Sequence, residues 1–211
     1  MVTFATQKLR IATEMVRGDL ASGGELETVL EQHYQDAVEY YANEKFWFNT
    51  LRTTANTVAA TATITVPTTI RRVERVVVDA YDRELVEVTL ANLPDDDSTG
   101  VPSRYAYYND TLRLWPTPDA IYTLVFYGIA KVAAPTAAAD DSIWTNEAAP
   151  LIRAHTKMSL YRGIFRDATG IAMAAAEASD AHRRLLRETA RRLETPIRAQ
   201  VPVAAYNINI E

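Results

Sequence analysis

Apolar residues recur at three- and four-residue steps at both ends of the chain, and a two-residue alternation replaces them in the middle. From Glu25 to Phe48, after the break "ASGG", Leu26, Val29, Leu30, Ala37, Tyr40 and Tyr41 keep the helical period and predict a long amphipathic helix. A shorter helix is predicted from Phe4 to Val16, with Leu9, Ala12 and either Val16 or Met15 turned to the core.

From Thr50 to Leu90 the chain is rich in Thr, Val and Ile, whose branched side chains suit a pleated surface better than a helix. Several strands are expected there, interrupted at Pro67. "YDRE" is read as a turn between Val76 to Ala80 and Leu85 to Thr89, with the polar loop "ANLPDDDSTGVP" after them. Asn109 and Asp110 tolerate positive φ, so "YYNDTL" predicts a tight hairpin joining Tyr105 to Tyr108 with Thr111 to Trp115. Alternation then sets Leu112 and Leu114 on one face and Arg113 and Trp115 on the other. Ile121 to Tyr127 is apolar on both faces, as in a central strand covered on both sides.

The helical period returns after "KVAAPTAAADDS". Asn146 is the expected N-cap, and Leu151, Ala154, Met158, Tyr161 and Phe165 form the stripe. Gly163 and Gly170 permit a bend before a second long helix, Ile171 to Leu193, which Pro196 stops. The expected organisation is a helical part (1–48), a β-rich part (49–132), a second helical part (146–195) and an extended tail (196–211). Together these make one α+β unit: N-terminal helices, a small antiparallel sheet insertion, two long C-terminal helices and the tail.

Composition narrows the chemistry. The chain has 211 residues, 48% of them apolar, enough for a packed core. The absence of cysteine removes disulfides, thiolate metal sites and cysteine nucleophiles. Lys8 and Arg10 stand where a signal peptide needs its apolar run, and no stretch of about 18 apolar residues occurs, so a soluble, non-secreted protein without membrane contact is expected. His33, His155 and His182 are far apart and lack metal-ligand spacing. "DDDSTG" begins like a calcium loop, but its twelfth position is Ala106, where a bidentate carboxylate is required. With seven glycines and no glycine-rich phosphate loop or Gly-x-Ser-x-Gly elbow, no cofactor, metal or catalytic residue is assigned. Tyr105, Tyr107 and Tyr108, with Arg104 and Arg113, could stack bases. Read together with Trp115, the same tyrosines fit a sheet or protein interface better on a chain of net charge −5.

Charge is distributed unevenly. Between Asp19 and Glu44 stand seven carboxylates, among them Glu25, Glu27, Glu31, Asp36 and Glu39, and no Lys or Arg. Between His182 and Arg198 the balance reverses, with Arg183, Arg184, Arg187, Arg191 and Arg192 prominent. The two faces could attract successive copies head to tail, pair within one chain, or leave the arginines facing DNA in a channel. The tail, kept extended by Pro196 and Pro202, alternates Tyr206, Ile208 and Ile210 with Asn207 and Asn209. With Val203, it has the pattern of a strand with one apolar face, which could bind the portal or another partner at a sheet edge or in a groove, pack on its own domain, or stay unordered.

Three segments, "YYANEKFWF", "TATITVPTTIRRVERV" and above all "GVPSRYAYYNDTLRLWPTPDAIYTLVFYG", make the chain resemble the head-to-tail adaptor proteins of tailed bacteriophages. The resemblance covers about the first three quarters of the chain, and the C-terminal helices match in type. It implies a non-enzymatic virion protein at the head-to-tail interface, assembled in the host cytoplasm. It also implies a homo-oligomeric ring, commonly of twelve copies, below the portal protein. Such a ring extends the DNA channel, helps retain packaged double-stranded DNA and takes part in genome ejection, and it offers a platform for a tail, tail-tube or nozzle protein. The alternatives are a phage neck or cell-wall hydrolase using Asp95 to Asp97 and Asp140 to Asp141, or a DNA-binding factor using the arginine helix.

Overall fold

The computed structural model describes residues 2–193, which form an α+β unit of N-terminal helices, two β-sheets and a long C-terminal helix. The tail residues Val203, Tyr206, Ile208 and Ile210 lie outside the described residues.

Helix α1 spans Phe4–Glu14 and is capped by Thr3, whose side chain accepts from the Thr6 N–H. Its buried stripe is Phe4, Gln7, Lys8, Ile11 and Ala12, with Met15 following. Ala12 is buried as expected and Met15 is the one of the Val16 and Met15 pair that faces the core, whereas Leu9, expected there too, is 60% exposed. Leu9 was misplaced because two members of the stripe are polar and carry their own partners. Gln7 donates to the Thr145 carbonyl at 2.7 Å, and the Lys8 ammonium lies 2.5 Å from both Glu27 and Glu31.

Helix α2, Glu27–Tyr41, buries Leu30, Tyr34, Ala37, Val38 and Tyr41. Tyr40, expected in the core, is 69% exposed. The helix stops well short of Phe48. The Asn49 side chain accepts from the Phe46 N–H and donates to the Glu44 carbonyl, closing a turn that leads into the first strand.

At the other end, Ser142 and not Asn146 is the N-cap. It closes a capping box with Thr145 on the short helix α3, Ile143–Asn146. Asn146 instead accepts from the Val2 N–H at 2.9 Å, tying down the N-terminal segment. Helix α4, Ala149–Leu160, buries Leu151 and Ala154 as the stripe predicts. It passes into a wide turn, Tyr161–Phe165, and Arg166 reverses the backbone with φ 51 before α5, Ala168–Leu193. A Cβ on Gly170 would lie 2.6 Å from the Tyr161 ring, so this glycine lets α5 begin against that ring. Ala174 and Ala178 are the buried small residues that α5 presents. Phe4, Leu30, Tyr34, Trp144, Leu151 and Ile152 belong to one helical core.

The β region contains two four-stranded sheets where one was expected. The first has order β1-β8-β3-β4, with β1 Thr50–Asn56, β3 Ile70–Val78, β4 Arg83–Glu84 and β8 Thr123–Ala130. The second has order β2-β7-β6-β5, with β2 Thr63–Thr65, β5 Val86–Glu87, β6 Arg104–Tyr108 and β7 Thr111–Trp115. The turn expected at Tyr81 to Glu84 gives up its last two residues to β4, and of the segment read as one strand, Leu85 to Thr89, Val86 and Glu87 form β5 in the other sheet. Arg83 and Glu84 pair antiparallel with β3, whereas Val86 and Glu87 pair parallel with β6. Val76, Leu85, Tyr105, Leu112, Leu114 and Phe126 fill the space between the sheets.

The β6–β7 hairpin forms as the sequence predicts, with Asn109 and Asp110 at φ 50 and 60, the two left-handed positions of a type I′ turn. Strand β8 is central and buries Leu124, Val125, Phe126 and Ile129. It begins two residues later than expected, and Ile121 is exposed.

Candidate interaction site

Where α2 ends, the fold draws together aromatic and imidazole side chains that are remote in sequence. Tyr41 lies 5.3 Å from His155 of α4 and 5.7 Å from His182 of α5, ring centre to ring centre. Tyr40 packs on His155 at 4.8 Å, and Phe46 on Phe48 at 5.3 Å. His155 Nδ1 lies 3.2 Å from the Tyr41 hydroxyl, and His182 Nε2 lies 2.6 Å from a Glu44 carboxylate oxygen. Burial, reinforced by Tyr40 and Glu44, pushes Tyr41 up to about 12. Burial, reinforced by Arg162, holds His155 below the ordinary histidine value. The seam therefore presents a neutral imidazole and a protonated phenol at neutral pH. "YYANEKFWF" was legible as an aromatic cluster; its histidine partners were not.

A groove of about 800 Å³ runs along α4 and α5, with Leu151, Ala154, Leu185 and Trp47 among its lining. Several of its charges pair with one another. Lys157 Nζ lies 2.5 Å from Glu177 and 2.9 Å from Glu14, and Arg192 lies 2.5 Å from Glu188. Burial works against the Lys157 ammonium, but the bonds to Glu177 and Glu14 outweigh it, so its pKa is raised. Such a lysine is held protonated, the opposite of what a base or nucleophile needs.

The two charged runs are answered locally. Glu27 and Glu31 hold Lys8, and Glu39 pairs with Arg71 of β3, while Glu25 and Asp36 are exposed. On α5, Arg183 pairs with Asp180, and Arg191 and Arg192 both pair with Glu188. Arg184 lines the groove and Arg187 is exposed. Among the described residues, the bond that links the two runs is His182 to Glu44.

The sheet aromatics differ in burial along β6, on which Tyr105 and Tyr107 share a face with their rings 5.9 Å apart. Tyr105 is buried between the sheets with its hydroxyl 3.3 Å from Glu87, whereas Tyr107 and Tyr108 are exposed. Trp115 is half-buried under the Arg104 guanidinium and donates its indole N–H to Asp96 at 2.8 Å.

Four of the loop carboxylates considered for hydrolysis are engaged in holding their loops, Asp95 and Asp96 against β7 and Asp140 and Asp141 near α3. Asp95 pairs with Arg113, and Asp141 accepts from the Asn146 side-chain amide. Asp96 is held below the usual carboxylate range by Trp115 and Ser98, and Asp140 by the Ala137 and Thr136 N–H groups. A general acid needs the reverse shift. Among the described residues no three His, Asp or Glu side chains gather at metal-binding distance, and no helix is long and apolar enough to cross a membrane.

The described residues thus make an α+β fold in which buried polar groups, Gln7 and Lys8 among them, tie one element to another. The chain belongs to the SU10 adaptor protein family, whose model matches residues 2–205. It is thus a phage adaptor-type protein of the virion that interacts with other virion proteins. No curated protein matches it.

Proposed function

We propose that the chain is a subunit of the head-to-tail connector, forming a ring of twelve copies beneath the portal. The ring extends the channel through which DNA passes, helps retain the packaged genome and presents a platform to the tail. The observation that carries this reading is the family match over residues 2–205. Two features agree with it. Asp36 on α2, with Glu25 just before that helix, and Arg187 on α5 are exposed charges of opposite sign, as a heterologous contact between successive copies can use. Many of the aromatic side chains are spent on packing, with Phe4, Tyr34, Tyr41, Phe46 and Trp144 in the helical core and Tyr105 and Phe126 between the sheets.

The test is to mix the protein with its portal and read the mass of the assembly by light scattering, with and without residues 199–211. The expected result is a portal complex carrying twelve copies, reduced by the truncation. A portal that stays uncomplexed, or a turnover reaction abolished by one substitution in this chain, overturns the reading.

A further inference from the structure

Three of the four sheet edges are strands of two or three residues: β2, β4 and β5. The fourth, β1, runs for seven residues in unbroken register with β8, and it has no proline and one charge, Arg52. Short edges are a protection against strand addition; a long and regular one invites it. The β1–β8 ladder continues at both ends, from the Ala130 N–H to the Asn49 carbonyl at 2.7 Å and from the Thr57 N–H to the Tyr122 carbonyl at 2.9 Å. Antiparallel alternation therefore gives the odd-numbered residues to β8 and turns the N–H and C=O groups of Thr50, Arg52, Thr54 and Asn56 outward. Among the described residues these groups have no backbone partner. The inner face is incomplete too. Leu51, Thr53 and Ala55 are half-buried, while Phe126 and Leu124, paired with Thr53 and Ala55 on β8, are fully buried.

We propose that this edge receives the C-terminal segment Val203–Ile210 of a neighbouring copy as an added strand. The inference rests on the ring reading above and names one contact that builds the ring. In that segment Tyr206, Ile208 and Ile210 share one face and Asn207 and Asn209 the other. The apolar face completes the cover over Leu51, Thr53 and Ala55, and the asparagines lie beside Arg52 and Thr54. The donor's geometry lets it reach past its own edge to a neighbour, which the ring reading requires. The end of α5 is fastened to the residues before β1, with the Trp47 N–H donating to Thr189 Oγ1 at 3.2 Å and the Arg192 guanidinium 3.7 Å from the Trp47 ring centre. Residues 194–202 then separate the helix from the alternating segment. Fully extended, they span about 30 Å against about 24 Å for a seven-residue strand, so they can carry the segment beyond its own β1. Pro196 and Pro202 oppose a helix that would shorten this reach. Each copy then offers one edge and one strand, a heterologous contact that closes as a ring.

Hydrogen exchange at single amides tests this in the portal complex of the full chain. The Thr50, Arg52, Thr54 and Asn56 amides are expected to exchange about tenfold or more slowly than in the chain lacking residues 199–211. Thr54→Pro removes an outward donor that β8 does not use, and is expected to reduce the number of copies held. A synthetic peptide of residues 199–211, added to the full chain, is expected to compete in the same way without any substitution. Exchange at the four amides that the truncation leaves unchanged, or that is slow in a monomer at every dilution, overturns the strand exchange while the portal complex stands. Absence of any complex between the full chain and portal overturns both readings.

Discussion

The Arg192 guanidinium lies 3.7 Å from the centre of the Trp47 ring, fastening the last turns of α5 to the residues that lead into β1. Arg192→Ala is expected to cost about 0.5 to 1 kcal/mol, the range of a solvent-accessible cation–π contact. Thr189→Val, which takes the acceptor from the Trp47 N–H, is expected to cost about 1 kcal/mol. Urea denaturation measures both, and faster amide exchange confined to residues 185–193 marks the helix end as the part released.

Lys8 is buried to 4% exposure, and its ammonium depends on two carboxylates of α2. Burial acts to lower its pKa, and Glu27 and Glu31 together reverse that. Replacing both by Gln leaves a buried cation without its counter-charges, so the urea midpoint is expected to fall further than for Lys8→Met, which removes the charge itself. Lys8 also lowers the Glu27 pKa. That contribution is complete above the ordinary glutamate value of 4.5 and is lost as pH falls through the lowered one.

His155 titrates below its ordinary value of 6.5, chiefly through burial against the Tyr40–Tyr41 seam. In the window from 6.5 down to the depressed value the unfolded chain binds the proton and the folded chain resists it. Stability therefore declines as pH falls through that window. His155→Asn is expected to flatten this part of the profile, read from thermal midpoints between pH 7 and 5 (about the range in which a buried histidine titrates).

The β6–β7 turn holds two non-glycine residues at positive φ, Asn109 and Asp110. Asp110→Gly yields the Asn-Gly pair that a type I′ turn favours and is expected to stabilise the protein by about 0.5 to 1 kcal/mol. Asp110→Val, β-branched at the same φ, is expected to destabilise it. Chemical denaturation distinguishes the two.

If α2 of one copy meets α5 of the next, Asp36→Arg and Arg187→Glu should each lower the yield of the portal complex, and the double variant should recover part of it. Light scattering on the mixed proteins reads the result. Recovery in the double variant is the signature of a direct charge contact.

Much of the local structure was legible. The hairpin at Asn109 and Asp110 follows from two adjacent residues that accept positive φ, and the inward Leu112 and Leu114 follow from the pleat. The C-terminal helix was found within a few residues because its apolar spacing persists over several turns. Expectations failed where a residue's partner lay far along the chain. Leu9 was wrongly placed in the α1 stripe because Gln7 and Lys8 are buried in its stead, on bonds to Thr145, Glu27 and Glu31. The crossing of Arg83 to Glu87 from one sheet to the other depends on β3 and β6, which flank it in space and not in pattern. His155 and His182 gave no signal, since helix packing and not spacing brings both onto Tyr41.

The amino-acid sequence by itself determined the α+β class, the order of helical and β-rich parts, the hairpin turn and the uneven charge. These rest on backbone preference and side-chain period, which act over a few residues. Only the tertiary structure decided that there are two sheets, that the acidic face of α2 is answered by Lys8 and Arg71, and that β1 is an edge strand among the described residues. Each of those depends on pairing or desolvation between residues far apart in sequence, whose energies exist only once the chain has brought them together.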